Sequence, residues 1–203
     1  MTSWCDNGIT IYGPYNSLVK FKEVIEQSDA DSFSFLQTMM PMPTVFEWTD
    51  KEAGEEEQKT FVDGCNNWYD WRVKNWGCKW DISTEGLEFT DNKDGTATIE
   101  GDFESPYVPP LEAFNTFVEA NQDCTLELFY NDPAICFVGK FDGAEGAGSD
   151  TYYEYGELMS NEVRETIGEE LDDYFLISED SKSMEEQYFQ EYLLKNKKKL
   201  SQR

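Results

Sequence analysis

Histidine is absent from all 203 residues. That removes the usual general base of Ser/His/Asp and Cys/His nucleophilic catalysis, and with it the commonest transition-metal ligand. Basic residues are scarce: 16 Lys and Arg face 42 Asp and Glu, a formal net charge of −26. So negative a surface repels phosphate backbones, which argues against direct binding of DNA or RNA through a basic face. No apolar run approaches the roughly 18 residues that span a bilayer. The N-terminal MTSWCDNGIT has neither a positive region nor an apolar one, so no secretory leader is expected. The five cysteines (Cys5, Cys65, Cys78, Cys124 and Cys136) are odd in number, widely spaced and never in CxxC. Reduced, partly buried thiols are therefore expected, rather than a disulfide framework or a zinc site. The expected location is the cytoplasm, with no membrane contact and no cofactor.

What is present argues for a folded chain. Hydrophobic residues make up 39% and aromatics 15% of the sequence, whereas disordered acidic tails are poor in aromatics. Alternation in residues 8–12 (GITIY) reads as a first strand, and Asn16 or Ser17 can cap a helix carrying Leu18, Phe21, Val24 and Ile25. Phe33 and Phe35 lead to the Pro-rich turn at 39–43, and residues 49–58, with Glu55-Glu56-Glu57, read as a solvated loop. Residues 59–75 read as a helix closed at Gly77 by a left-handed cap. Three short strands are expected at 79–83, 86–90 and 96–103, the last two joined by a hairpin with Gly95 at a positive φ. Pro109-Pro110 opens a helix carrying Leu111, Phe114, Phe117 and Val118. Strands at 125–130 and 134–141 follow across Asn131-Asp132-Pro133. This order predicts an α+β fold, helices packed on one face of an antiparallel sheet.

Composition shifts at Gly143, which divides the chain into an expected α+β domain (1–142) and an acidic C-terminal extension (143–203). Residues 143–150 read as a small-residue loop and 151–155 as one more strand. From Asp142 to Glu186 there are fifteen Asp and Glu against Arg164 and Lys182. Residues 161–170 read as a helix polar nearly all round. Ser183 and Glu186 suggest a capping box for a last helix with Met184, Tyr188, Tyr192 and Leu193 at helical spacing. Its basic end (Lys195, Lys197, Lys198, Lys199, Arg203) complements the helix dipole.

The most distinctive stretch runs from Trp68 to Asp81: Trp68, Trp71, Trp76 and Trp80 fall within thirteen residues, with Arg72, Gly77, Lys79 and Asp81 among them. Rings this large anchor a helix against a sheet, burying on the order of 200 Å² each, and core packing is their expected role. The other use of such a block is a ligand platform, with Arg72 and Lys79 as anion contacts. Arg72 is expected to pair with Asp70 or Asp81 and so position the turn.

Three segments together resemble the YubB-like (Api-type) family of phage and plasmid proteins. They are residues 4–14 (WCDNGITIYGP), Met40-Pro41-Met42-Pro43 and the tryptophan block, with a weaker echo in residues 103–110 and in the strand pair at 125–141. The similarity spans residues 3–142 and departs at Cys78 and at Ser105–Val108. It implies a ferredoxin-like α+β domain and a mobile-element or viral origin, and it supplies no catalytic residues.

Paired carboxylates are too common here for adjacency to mark an active site, and no phosphate-cradling or calcium-loop motif is present. The charge itself is the functional lead. Fixed carboxylates on a rigid body can imitate a nucleic-acid backbone and occupy the basic groove of a nucleic-acid-processing complex. The expectation is a non-enzymatic inhibitor of a host defence complex of restriction or CRISPR type. Its partner-binding face would carry Glu162, Glu165, Glu169, Glu170, Asp172 and Asp173. The alternatives are a small-ligand or nucleotide-binding enzyme built on residues 68–80, and a self-assembling accessory protein.

Overall fold

The computed structural model describes residues 3–27, 34–47 and 62–200, with side chains described to residue 193. Alternating buried and exposed side chains along Trp4–Pro14 define strand β1, which puts Cys5, Asn7, Ile9 and Ile11 on one face. Helix α1 (Tyr15–Glu26) follows at once and buries Leu18, Phe21 and Ile25 against that face. Further on come α2 (Phe35–Met39), α3 (Trp68–Trp76), β2 (Leu87–Asp91), β3 (Thr96–Pro106), α4 (Leu111–Ala120), β4 (Thr125–Asp132), β5 (Phe137–Ala144) and β6 (Ala147–Glu154). Three helices close the chain: α5 (Ser160–Ile167), α6 (Glu169–Phe175) and α7 (Ile177–Leu200).

All six strands form one antiparallel sheet in the order β2-β3-β1-β4-β5-β6. The main core lies between one sheet face and α1 to α4. It contains Ile9, Ile11, Leu18, Phe21, Phe35, Trp71, Trp76, Ile99, Phe114, Phe117, Leu126 and Leu128. Because successive strand residues point to opposite faces, Phe129 and Val138 face the other way. There they meet Val163, Ile167, Leu171 and Ile177 of α5, α6 and the start of α7 in a second, smaller core. Helices therefore pack on both faces of the sheet, not on one. The second layer covers β4 and β5 and leaves the outer face of β2, β3 and most of β1 open.

Several local expectations are corrected. Pro14, with φ −56°, is the N-cap of α1, with no side-chain cap at Asn16 or Ser17; the N–H of Tyr15 is satisfied by the carbonyl of Gly95 at 2.9 Å. Helix α3 starts only at Trp68, because Asn67 caps it by accepting the N–H of Asp70 at 2.9 Å, while residues 62–65 form a tight turn. Its end is as read: Gly77 has φ 85°. Residues 79–83 form no strand, for Asp81 is drawn away to accept backbone N–H groups of α2. Strand β4 runs on through Asp132, so the turn falls at Pro133–Cys136 instead. Gly143 interrupts nothing: β5 continues to Ala144, turns at Glu145-Gly146 and returns as β6. Helix α5 is not polar all round, since Val163 and Ile167 are buried one turn apart. Helix α7 begins at Ile177, so Ser183 and Glu186 both lie inside it and do not cap its start; the neighbouring Glu185 accepts the N–H and hydroxyl of Ser160. The readings at Phe33 and residues 49–58, and on the side chains of the basic end, lie outside the described residues. Among the described residues no helix is long and apolar enough to cross a membrane.

Candidate functional site

The tryptophan block divides into a buried and an exposed half. Trp71 (2% exposed) and Trp76 (0%) sit in the core, edge to face with centroids 6.0 Å apart, and Trp76 Nε1 donates to the carbonyl of Met40 at 2.9 Å. That bond ties α3 to the Pro-rich turn. Asp81 is also structural: Oδ1 accepts the N–H of Leu36 (2.7 Å) and Ile82 (2.8 Å), and Oδ2 accepts that of Gln37 (2.9 Å). Burial still pushes its carboxyl above the usual range, against those three hydrogen bonds and the nearby Arg72 charge. Burial likewise lifts the Cys78 thiol to about 12, so it is an inert core group.

Arg72 pairs with neither Asp70 nor Asp81, contrary to the sequence expectation. Asp70 bonds Asn67, and no carboxylate among the described residues comes within ion-pair distance of the guanidinium. Arg72 lies instead against the rings of Trp68 (5.3 Å) and Trp76 (4.7 Å). Lys79 sits over Trp80 at 3.8 Å and reaches Tyr107 at 5.3 Å. Trp80 extends outward beside Trp4, ring centroids 6.0 Å apart.

Of the six C-terminal carboxylates singled out from sequence, Asp172 is buried and the other five are exposed. Asp172 is 2% exposed; it accepts the N–H and hydroxyl of Ser178 (2.8 and 2.7 Å) at the start of α7 and Arg164 Nη1 at 2.9 Å. Its carboxyl is held below the ordinary range: burial works against this, but the two Ser178 bonds and Arg164 outweigh it. Arg164 also gathers Asp173 and Glu169, and Glu170 binds Lys140 at 2.9 Å. Glu162 accepts the N–H of Met159 at 3.1 Å. Glu165 stands exposed.

The accessible carboxylates that sequence reading missed lie on the open sheet face. Asp6, Glu88, Glu100, Asp102 and Glu104 are all exposed there, at alternate positions of β1, β2 and β3. The register sets Asp6 opposite Glu104 and Glu88 opposite Glu100. Like charges directly across a ladder are destabilising. The crowding is visible at Asp6, whose carboxyl is raised by burial and then by Glu104, Asp132 and Asp102. Toward β4 and β5, Lys140 is clamped by Glu127 (2.8 Å), Glu170 (2.9 Å) and Asp142 (3.4 Å), so its charge is over-compensated locally. The only early clue was the polar half of each strand's alternation, and those positions converge only once the register is known.

No protein-family model matches the chain. No curated protein matches it either. Among solved structures, the crystal structure of a protein api92 from Yersinia pseudotuberculosis, family-model DUF1281, is similar with a TM-score of 0.42 and 11% sequence identity, over 77% of this chain and 99% of that one.

Proposed function

We propose that this protein is a non-enzymatic inhibitor of phage or mobile-element origin that presents its open sheet face to the basic nucleic-acid groove of a host defence complex. The scaffold in this reading is ferredoxin-like. What supports this is the order β2-β3-β1-β4 with α1 and α4 between the strands, the order expected of a split βαβ unit, with β5 and β6 added at one edge. One observation carries the functional reading: like-charged carboxylates are set opposite one another on an uncovered sheet. Solubility needs negative charge somewhere, but it does not need Asp6 facing Glu104 or Glu88 facing Glu100, a placement that costs stability. Along β3 the side chains of Glu100, Asp102 and Glu104 recur about every 6.6 Å, and neighbouring strands lie about 4.8 Å apart. The result is a rigid two-dimensional array of anions of the kind a cationic cleft attracts at long range.

The helices α5 and α6 flank this array, and their six carboxylates, met only by Arg164 and Lys140 among the described residues, add to its negative field. The binding face still moves from Glu162–Asp173 to the strands. The test is capture of host proteins at low and high salt with the intact protein and with a Glu100→Lys, Asp102→Lys, Glu104→Lys variant. A salt-sensitive partner that nucleic acid displaces and the variant loses supports the reading. Retention of the partner by the variant sinks it.

A further inference from the structure

Beside the acidic face, and sharing Glu104 with it, is a cleft of about 480 Å³ lined by Trp4, Arg72, Trp80, Asp81 and Glu104. Trp4 comes from β1, Glu104 from β3, and Arg72 and Trp80 from α3 and the segment after it. The two indoles are 43% and 40% exposed, and their planes are tilted by 31°. This is a cleft size ordinary for small-molecule sites.

Arg72 is the anomaly. In a chain with 42 acids and 16 bases, Lys140 and Arg164 each hold three carboxylates, yet Arg72 makes no ion pair among the described residues. Its Nε is buried with no hydrogen-bond partner among the described residues, a state that costs free energy unless something supplies an acceptor. Asp81 does not do so: its oxygens accept three backbone N–H groups, and neither lies within ion-pair distance of the guanidinium. Burial lowers the Arg72 pKa from its usual value, the mark of a cation short of compensation.

We propose that this cleft binds a flat aromatic ligand carrying one carboxylate, the ring against Trp4 and Trp80 and the carboxylate on Arg72. Exposed indole faces favour an aromatic partner over an aliphatic one. A cationic ligand is disfavoured, because the Lys79 ammonium already lies 3.8 Å from the Trp80 centroid and Arg72 lines the wall. A dianion such as a phosphate monoester meets Glu104 at close range and pays twice the repulsion of a monoanion. The ligand class is thus set by one donor without a partner among the described residues, two open rings and two wall carboxylates, Glu104 and Asp81.

Calorimetric titration of the full chain with naphthalene-2-carboxylate and with the neutral 2-naphthalenemethanol tests this. The carboxylate should bind saturably at one site, roughly 10-fold or more tighter than the alcohol, the scale of a charge-assisted hydrogen bond. Arg72→Gln should abolish that preference, and Trp4→Ala should weaken both probes. Glu104→Gln, on the exposed rim, should fold normally and tighten the carboxylate about 3-fold by removing a like charge. No saturable binding at millimolar probe, equal affinity for the two probes, or indifference to both Trp4→Ala and Glu104→Gln would overturn the proposal.

Discussion

The hydroxyl of Tyr174 on α6 donates to the carboxylate of Asp102 on β3 at 3.1 Å, bridging the outer helical layer to the open face of the sheet. The same ring stacks on Phe129 at 4.7 Å and lies directly over Gly8. A Cβ at Gly8 would stand 1.7 Å from the Tyr174 oxygen, so the absence of a side chain there lets α6 approach the sheet. Gly8→Ala should displace Tyr174 and destabilise the fold by about 1–3 kcal/mol, read from chemical denaturation.

Burial, and then Asp102, raise the Tyr174 phenol from its ordinary 10.0 to about 12. A raised pKa means the folded state holds the proton more tightly, so this contribution is complete below pH 10 and lost as pH climbs through about 12. Unfolding measured across that window should show a fall in stability that is smaller in Tyr174→Phe.

Relief of crowding on the sheet should stabilise the protein while, under the proposed function, weakening its hold on a basic partner. Glu104→Gln removes the charge opposite Asp6 and should raise stability by about 0.3–1 kcal/mol at low salt, less at high salt. Because the Asp6 carboxyl is raised above 3.8, its favourable contribution is full below that pH and fades as pH rises through the folded value. Acidification toward 3.8 should therefore add stability from Asp6, and Glu104→Gln should flatten that contribution. A melting temperature insensitive to both would contradict the register argument.

Asp172 should behave in the opposite sense. Its carboxyl is held below 3.8, so its stabilisation is present above that pH and disappears as acid protonates the folded group. Asp172→Ala leaves the N–H and hydroxyl of Ser178 at the α7 start without their acceptor, takes one of three carboxylates from Arg164, and should cost about 2–3 kcal/mol. Amide exchange should show the loss concentrated at residues 177–180.

Trp76 is fully buried and satisfies the carbonyl of Met40. Trp76→Leu should open a cavity and orphan that carbonyl, at a cost of about 3–5 kcal/mol. Near-ultraviolet circular dichroism and a denaturation curve would register both effects.

Much of the main core was legible. Phe114, Phe117 and Val118 follow helical spacing in α4, and Ile9 and Ile11 follow strand alternation in β1. Gly77 and Gly95 mark the cap and the hairpin, both with φ > 0. The errors share a cause: a local signal was overruled by a distant partner. Residues 79–83 lose their strand because Asp81 serves α2 from 45 residues away. Asp172 looked like one more surface acid, and only Ser178 and Arg164 explain its burial.

Sequence alone settled the sign of the surface, the lack of imidazole chemistry, and an α+β architecture with aromatic-rich helices, because composition and periodicity are properties of consecutive residues. Tertiary structure decided that a second helical layer covers only part of the outer sheet face. It also decided that Asp6 meets Glu104, that Trp4 joins Trp80, and that Arg72 has no carboxylate partner among the described residues. Those facts depend on strand register and on contacts across more than seventy residues, and no local pattern encodes which carboxylates a folded chain will bring together or keep apart.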